Sequence, residues 1–115
     1  MNYTEEQIQF IRNEVLNMEQ EKDVSNNLMD FMYEHQLFKL IVPSCFGGKM
    51  LDLPEAIRAF QSAAEVDGDF GWLVTIGSGG GMFVNNFSEQ TAKRFFTPKE
   101  ALIAGSGFPA GSAKK

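Results

Sequence analysis

Two glycine-rich runs hold residue types from which a binding site could be assembled. Gly77-Ser78-Gly79-Gly80-Gly81 has the composition of a phosphate cradle, in which backbone N–H groups hold an anion. The mononucleotide pattern fails, because Met82-Phe83 follows the last glycine where Lys and Ser/Thr are needed. A dinucleotide turn needs a preceding strand, and Gly71-Trp72-Leu73-Val74-Thr75-Ile76 stands in a helical context. The second run, Gly105-Ser106-Gly107-Phe108-Pro109-Ala110, formally fits a dinucleotide fingerprint with Ala last. Pro109 and the Gly111-Ser112 pair prevent a helix from opening there, so that reading is rejected. What remains is close packing. Four helical glycines cost about 3–4 kcal/mol relative to alanine. A very close approach of another backbone or a ligand offsets such a cost. Gly77 and Gly81, four apart, share the helical face that admits one.

The isolated polar residues offer little. His35 is the sole histidine, so no Ser-His-Asp arrangement exists, and it reads as a helix-end residue. Cys45 is the sole cysteine; it has no partner for a disulfide or a metal site and reads as a small buried side chain. Asp67-Gly68-Asp69 reads as one helix ending and the next being capped, not as a catalytic pair. Glu5, Glu6, Glu19 and Glu21 form solvated faces. Trp72 is a large aromatic on a helix, suited to core packing or to a wall for a flat ligand. No catalytic residue and no metal ligand is assigned.

The rest of the sequence describes what must hold these residues. A chain of 115 residues with 43% hydrophobic residues and eleven Phe suffices for one domain with a modest core. Its net charge of −5 argues against nucleic acid, whose binding rests on clustered Lys and Arg. No apolar run reaches the length of a membrane span. Met1-Asn2-Tyr3-Thr4-Glu5-Glu6 has neither the basic nor the apolar region of a secretory leader. With a lone cysteine, that predicts a cytoplasmic protein.

The pattern predicts five helices. Thr4 with Gln7 three residues on forms a capping box, followed by the apolar face Ile8, Ile11, Val15 and Met18. Ser25 caps a second helix with Leu28, Phe31 and Met32 inward. Leu37-Phe38-Lys39-Leu40-Ile41-Val42-Pro43 breaks the helical period and predicts an extended connection that plugs the core, with a turn at Phe46-Gly47-Gly48. Asp52 caps a third helix with Pro54 near its start and Leu53, Ile57, Phe60 and Ala64 as its stripe. The stretch from Phe70 to about Phe87 carries no charge, which predicts a helix buried on most sides. Ser88 caps a fifth helix that Pro98 stops. Ala101-Leu102-Ile103-Ala104 predicts a short strand without a partner, as though a β-rich domain opened there. The expected organisation is therefore an all-α bundle over 1–100 and the start of a second, β domain over 101–115.

Taken in order, these segments resemble the N-terminal helical domain of the acyl-CoA dehydrogenase superfamily. The residues that carry the resemblance are Leu37 to Pro43 with Phe46-Gly47-Gly48, Leu53-Pro54-Glu55-Ala56, Asp67-Gly68-Asp69-Phe70-Gly71-Trp72, and the run from Gly105 to Ser112. The resemblance implies a subunit of N-terminal helices, a middle β domain and a C-terminal helical bundle, usually in a homotetramer. It implies a flavin, FAD or FMN, between the last two parts. In dehydrogenase members a glutamate of the C-terminal bundle removes a proton from the acyl group and hydride passes to the flavin; no residue here corresponds to it.

By the same resemblance, Ser106 falls where the family places a Thr that meets the flavin ring, with Gly105 beside it. Ala110-Gly111-Ser112 matches an Ala-Gly-Ser of the dehydrogenase pattern, while Gly107 and Ala113 replace its Glu and Asp. Gly71-Trp72 resembles the flavin-dependent monooxygenase branch, which takes reduced flavin from a reductase and oxygenates aromatic compounds. Some members of that branch carry a His eight residues after the Trp, where this chain has Gly80. The implied substrate is an acyl thioester or an aromatic compound, with Trp72, Gly77 and Gly80 shaping its pocket. A hydroxyl at Ser106 flanked by glycines suits hydrogen bonding to a flat ring. The stretch alone is expected to be inactive. The alternative is a stand-alone helical module that docks to a partner protein through its terminal strand and apolar helix.

Overall fold

The computed structural model describes residues 2–105 and 107–115. Among them the chain forms five α-helices: α1 (Glu5–Glu21), α2 (Asn26–Glu34), α3 (Leu53–Val66), α4 (Gly68–Gly79) and α5 (Glu89–Phe96). Two 3-10 segments, Ser44–Phe46 and Gly80–Asn86, complete the order.

Each helix starts where a capping side chain dictates. Thr4 accepts from the Gln7 amide while the Gln7 side chain returns to the Thr4 amide, and Asp52 and Glu55 do the same for α3. These pairs satisfy N–H groups that a helix start leaves without partners. Ser25 and Ser88 cap α2 and α5. Asp67 ends α3 and caps α4 at once, accepting from the amides of Asp69 (2.8 Å) and Phe70 (3.1 Å). The third and fourth helices therefore turn on one residue.

The larger core lies among α1 to α4, with Ile11, Val15, Leu28, Met32, Leu37, Phe70 and Val74 at its centre. Tyr3 closes it edge-on against Phe70, with ring centroids 5.7 Å apart. Its hydroxyl is buried with no protein partner among the described residues, and burial pushes the phenol up to about 12. A smaller cluster joins Val42 and Phe46 to Val84, Ala92 and Phe96. Between the two runs the 37–43 connection, which plugs the core as its sequence predicts but does so through turns and bends rather than as an extended segment. Amides of Lys49, Met50 and Leu51 bond to carbonyls of Lys39, Val42 and Leu40. Gly47 makes the turn with φ 81°, a conformation glycine adopts without a Cβ penalty.

Four further expectations need correction. The uncharged stretch does not continue as one α-helix to Phe87: it tightens to 3-10 geometry after Gly79, where three successive glycines give the α form least support. Nor is it buried on most sides, because Trp72, Ile76, Met82 and Phe83 are exposed. The α3 stripe holds only at Phe60, which packs against the larger core: Ala56, Ala59, Ala63 and Val66 are buried, while Leu53, Ile57 and Ala64 are exposed. Helices α3 and α4 pack closely, and a Cβ at Gly71 would lie 2.5 Å from Ala64 Cα. Finally, no strand forms among the described residues. A strand needs a ladder partner, and 101–104 instead packs its apolar side chains on the helices: Leu102 against the larger core, Ile103 against the smaller.

Candidate functional site

The candidate site is the outer face of α4 together with the segment that leaves α5. Trp72 is 67% exposed and Ile76 is 47% exposed. Four residues apart, they form one apolar line along the helix, and Gly80 lies four residues further on. There the line meets the exit segment, since a Cβ at Gly80 would collide with the Ile103 carbonyl. Past Ile103, Ala104 and Gly105 are exposed, and nothing stands within 4 Å of where a Gly105 Cβ would be.

The inner face of the same helix is fixed just as closely. A Cβ at Gly77 would collide with the Phe38 ring, and one at Gly81 would lie 2.9 Å from Val42 Cγ2. A close approach is made at Gly77 and Gly81, but by side chains of the 38–42 connection and not by the backbone or ligand expected there. Ser78, fully buried, donates to the Leu37 carbonyl. Glycine backbone and one serine hydroxyl so clamp α4 from within, leaving Trp72 and Ile76 outward.

Of the residues named from sequence, Trp72 is exposed, Gly80 sits under Ile103, Gly105 is open, and Gly77 is buried behind Phe38. Ser106 lies outside the described residues. His35 is the C-cap of α2 and stacks 4.3 Å from the Phe31 ring, as a helix-end residue should. Cys45 is exposed in the 3-10 turn, not buried as expected, because that turn points its middle residue to solvent while Phe46 goes inward. No group of three His, Cys, Asp or Glu among the described residues could hold a metal. Clefts of about 430 Å³ near Glu14 and Asn26 and about 380 Å³ near Arg12 and Glu65 lie away from α4's outer face.

A family profile described as acyl-CoA dehydrogenase, N-terminal domain, matches residues 2–102. The chain belongs to that family. No curated protein and no solved structure shows a significant match. The matched stretch of this acyl-CoA dehydrogenase N-terminal domain takes in all five helices and ends on Leu102, inside the exit segment. No helix among the described residues is long and apolar enough to cross a membrane.

Two residues of the domain were not singled out from sequence. Ser78 is one. The other is Lys39, only 5% exposed, whose Nζ donates to the carbonyls of Pro98 (2.6 Å) and Thr97 (3.3 Å). Burial lowers its ammonium below the usual lysine range. The sequence signal was present: one charge inside the apolar run Leu37 to Val42.

Proposed function

We propose that this chain is the N-terminal helical domain of a flavin-dependent oxidoreductase of the acyl-CoA dehydrogenase superfamily, and that α4 forms one wall of the substrate pocket beside the flavin. The observation that carries the reading is the family match over residues 2–102 on a helical unit whose exposed Trp72–Ile76 line runs up to the exit segment. Residues 101–115 would open the second domain.

A flavin fits these residues at a single edge. Gly105 is exposed and has no side chain, so its backbone can approach a flat ring, and the Ser106 hydroxyl is adjacent in sequence. Family members generally bind FAD, which as a bound group supplies the hydride or oxygen chemistry; FMN is the alternative. The domain's own residues bind and orient. Trp72 and Ile76 present apolar surface that excludes water from an acyl thioester or aromatic substrate. Gly77 and Gly80 act indirectly, by seating Phe38 and Ile103 so that α4 keeps its place. The stretch alone is proposed to be inactive, because no residue in it corresponds to the glutamate that the resemblance places in the C-terminal bundle. A homotetramer is the assembly proposed for the whole protein, with a flavin reductase as partner if it is a monooxygenase.

Flavin added to the protein from its native source should be taken up with its visible bands, and Trp72→Ala should weaken substrate binding while flavin uptake is kept. Flavin-dependent turnover by the 115-residue chain alone would contradict the reading. A second reading, a helical module docking to a partner protein, is favoured by the exposed Leu53, Ile57, Trp72 and Ile76. It predicts partner binding with no response to flavin.

A further inference from the structure

We propose that Lys39 is a positioning residue: its ammonium, seated on the Thr97 and Pro98 carbonyls, fixes the path by which the chain leaves α5, and thereby the place of Gly105 beside α4. The consequence for flavin rests on the reading above; the latch itself does not.

A buried ammonium usually has a carboxylate partner, because desolvating a lone charge is unfavourable. Lys39 has none within bonding distance among the described residues. Its acceptors are two carbonyls at the C-terminal end of α5, the negative end of the helix dipole. The Pro98 carbonyl also accepts from the Ala101 amide at 3.0 Å. One oxygen thus ties the core connection, the end of α5 and the first residue of the exit segment. Two residues on, the Ile103 carbonyl rests on Gly80. Gly47 lies beside the ammonium and its Thr97 acceptor: a Cβ there would stand 3.9 Å from Nζ and from that carbonyl oxygen. Gly47 is held in turn by Gln36 Nε2 donating to its carbonyl at 2.7 Å.

An apolar residue would satisfy packing there at least as well, since replacing a buried charge by a hydrophobe of similar volume is often neutral or stabilising. What an apolar residue cannot do is hold two carbonyls. Direction, not stability, is therefore what Lys39 supplies.

Amide exchange on the 115-residue chain tests this without any flavin. In the wild type, the Ala101 amide should be protected to about the level of Thr97 at the end of α5. In Lys39→Met, Ala101 should exchange faster by roughly tenfold or more, as expected for loss of a charge-assisted hydrogen bond, while Val74 in the larger core is unchanged. Lys39→Arg, which keeps the charge and the donors, should restore most of the protection. Ala101 unprotected in the wild type overturns the proposal. So does Lys39→Met that leaves Ala101 unchanged, or that speeds Ala101 and Val74 equally, the mark of a merely structural role. Should Lys39→Met not fold, protection of Ala101 in the wild type and in Lys39→Arg decides. Failure of the native-source protein to take up flavin, with Ala101 still protected, would count against the flavin reading and leave the latch in place.

Discussion

The two apolar clusters of this domain are held together by different means. The larger, among α1 to α4, is filled by long side chains such as Ile11, Leu28, Met32 and Phe70, all fully buried. The smaller, among Val42, Phe46, Val84, Ala92 and Phe96, depends on close approaches: Gly81 against Val42, Gly80 against Ile103, and one ammonium on two carbonyls. The first resembles an ordinary core, whose stability scales with apolar area removed from water. The second combines two buried phenylalanines, Phe46 and Phe96, with close backbone approaches around the exit segment. Segments with few buried apolar contacts open most easily, and the exit-segment end of the proposed site lies by the smaller cluster, while Trp72 and Ile76 stand on a helix of the larger one. Stability and placement are thus divided between the two regions.

The sharpest way to break the comparison is to empty each cluster in turn. Phe70→Ala should cost about 3–5 kcal/mol, as for a fully buried aromatic, and unfold the whole domain in one transition. Phe96→Ala should instead release α5 and the exit segment while the amides of α1 to α4 stay protected. A single global transition for both variants would mean one core, not two.

The glycines give a smaller and opposed pair. Gly71→Ala forces a Cβ into the Ala64 backbone and should lower stability by about 1–3 kcal/mol, the usual penalty of overpacking. Gly79→Ala meets nothing within 4 Å at a helical backbone geometry. It should raise stability by about 1 kcal/mol, the helix-propensity difference. Urea midpoints read both.

The smallest expected effect is on pH dependence, and the two regions respond with opposite signs. Burial lowers Lys39 from its ordinary 10.5, so over that window the unfolded chain holds a proton the folded one has released. Stability rises with pH until 10.5 is passed. Tyr3 is raised from 10.0 to about 12. Its contribution is complete below 10.0 and is lost as pH climbs through about 12. Lys39→Met should remove the rise and Tyr3→Phe the fall, both visible as urea midpoints between neutral and strongly alkaline pH.

The same division governs what the sequence made legible. Caps and amphipathic faces in the larger region are local signals, so Thr4–Gln7, Ser25 and Asp52 marked helix starts correctly, and Ile11 and Val15 marked a buried face. Gly77 and Gly81 announced a close approach, but the occupants, Phe38 and Val42, are some 40 residues away in sequence. The absence of charge over 70–87 says what the stretch lacks and not which side is covered, so the exposure of Trp72 and Ile76 was hidden. The alanine face of α3 was overlooked because alanine carries too little apolar area to mark a face by pattern alone. Lys39 stood in plain view as a charge in an apolar run, yet its partners are carbonyls, which no side-chain pattern reveals.

Whether this domain serves a flavoprotein is decided by the intact mass and visible spectrum of the protein from its native source. The expected result is a subunit several-fold heavier than 12.8 kDa, with flavin absorption bands present or regained on adding FAD or FMN. A colourless native polypeptide of 12.8 kDa that takes up neither flavin would contradict it.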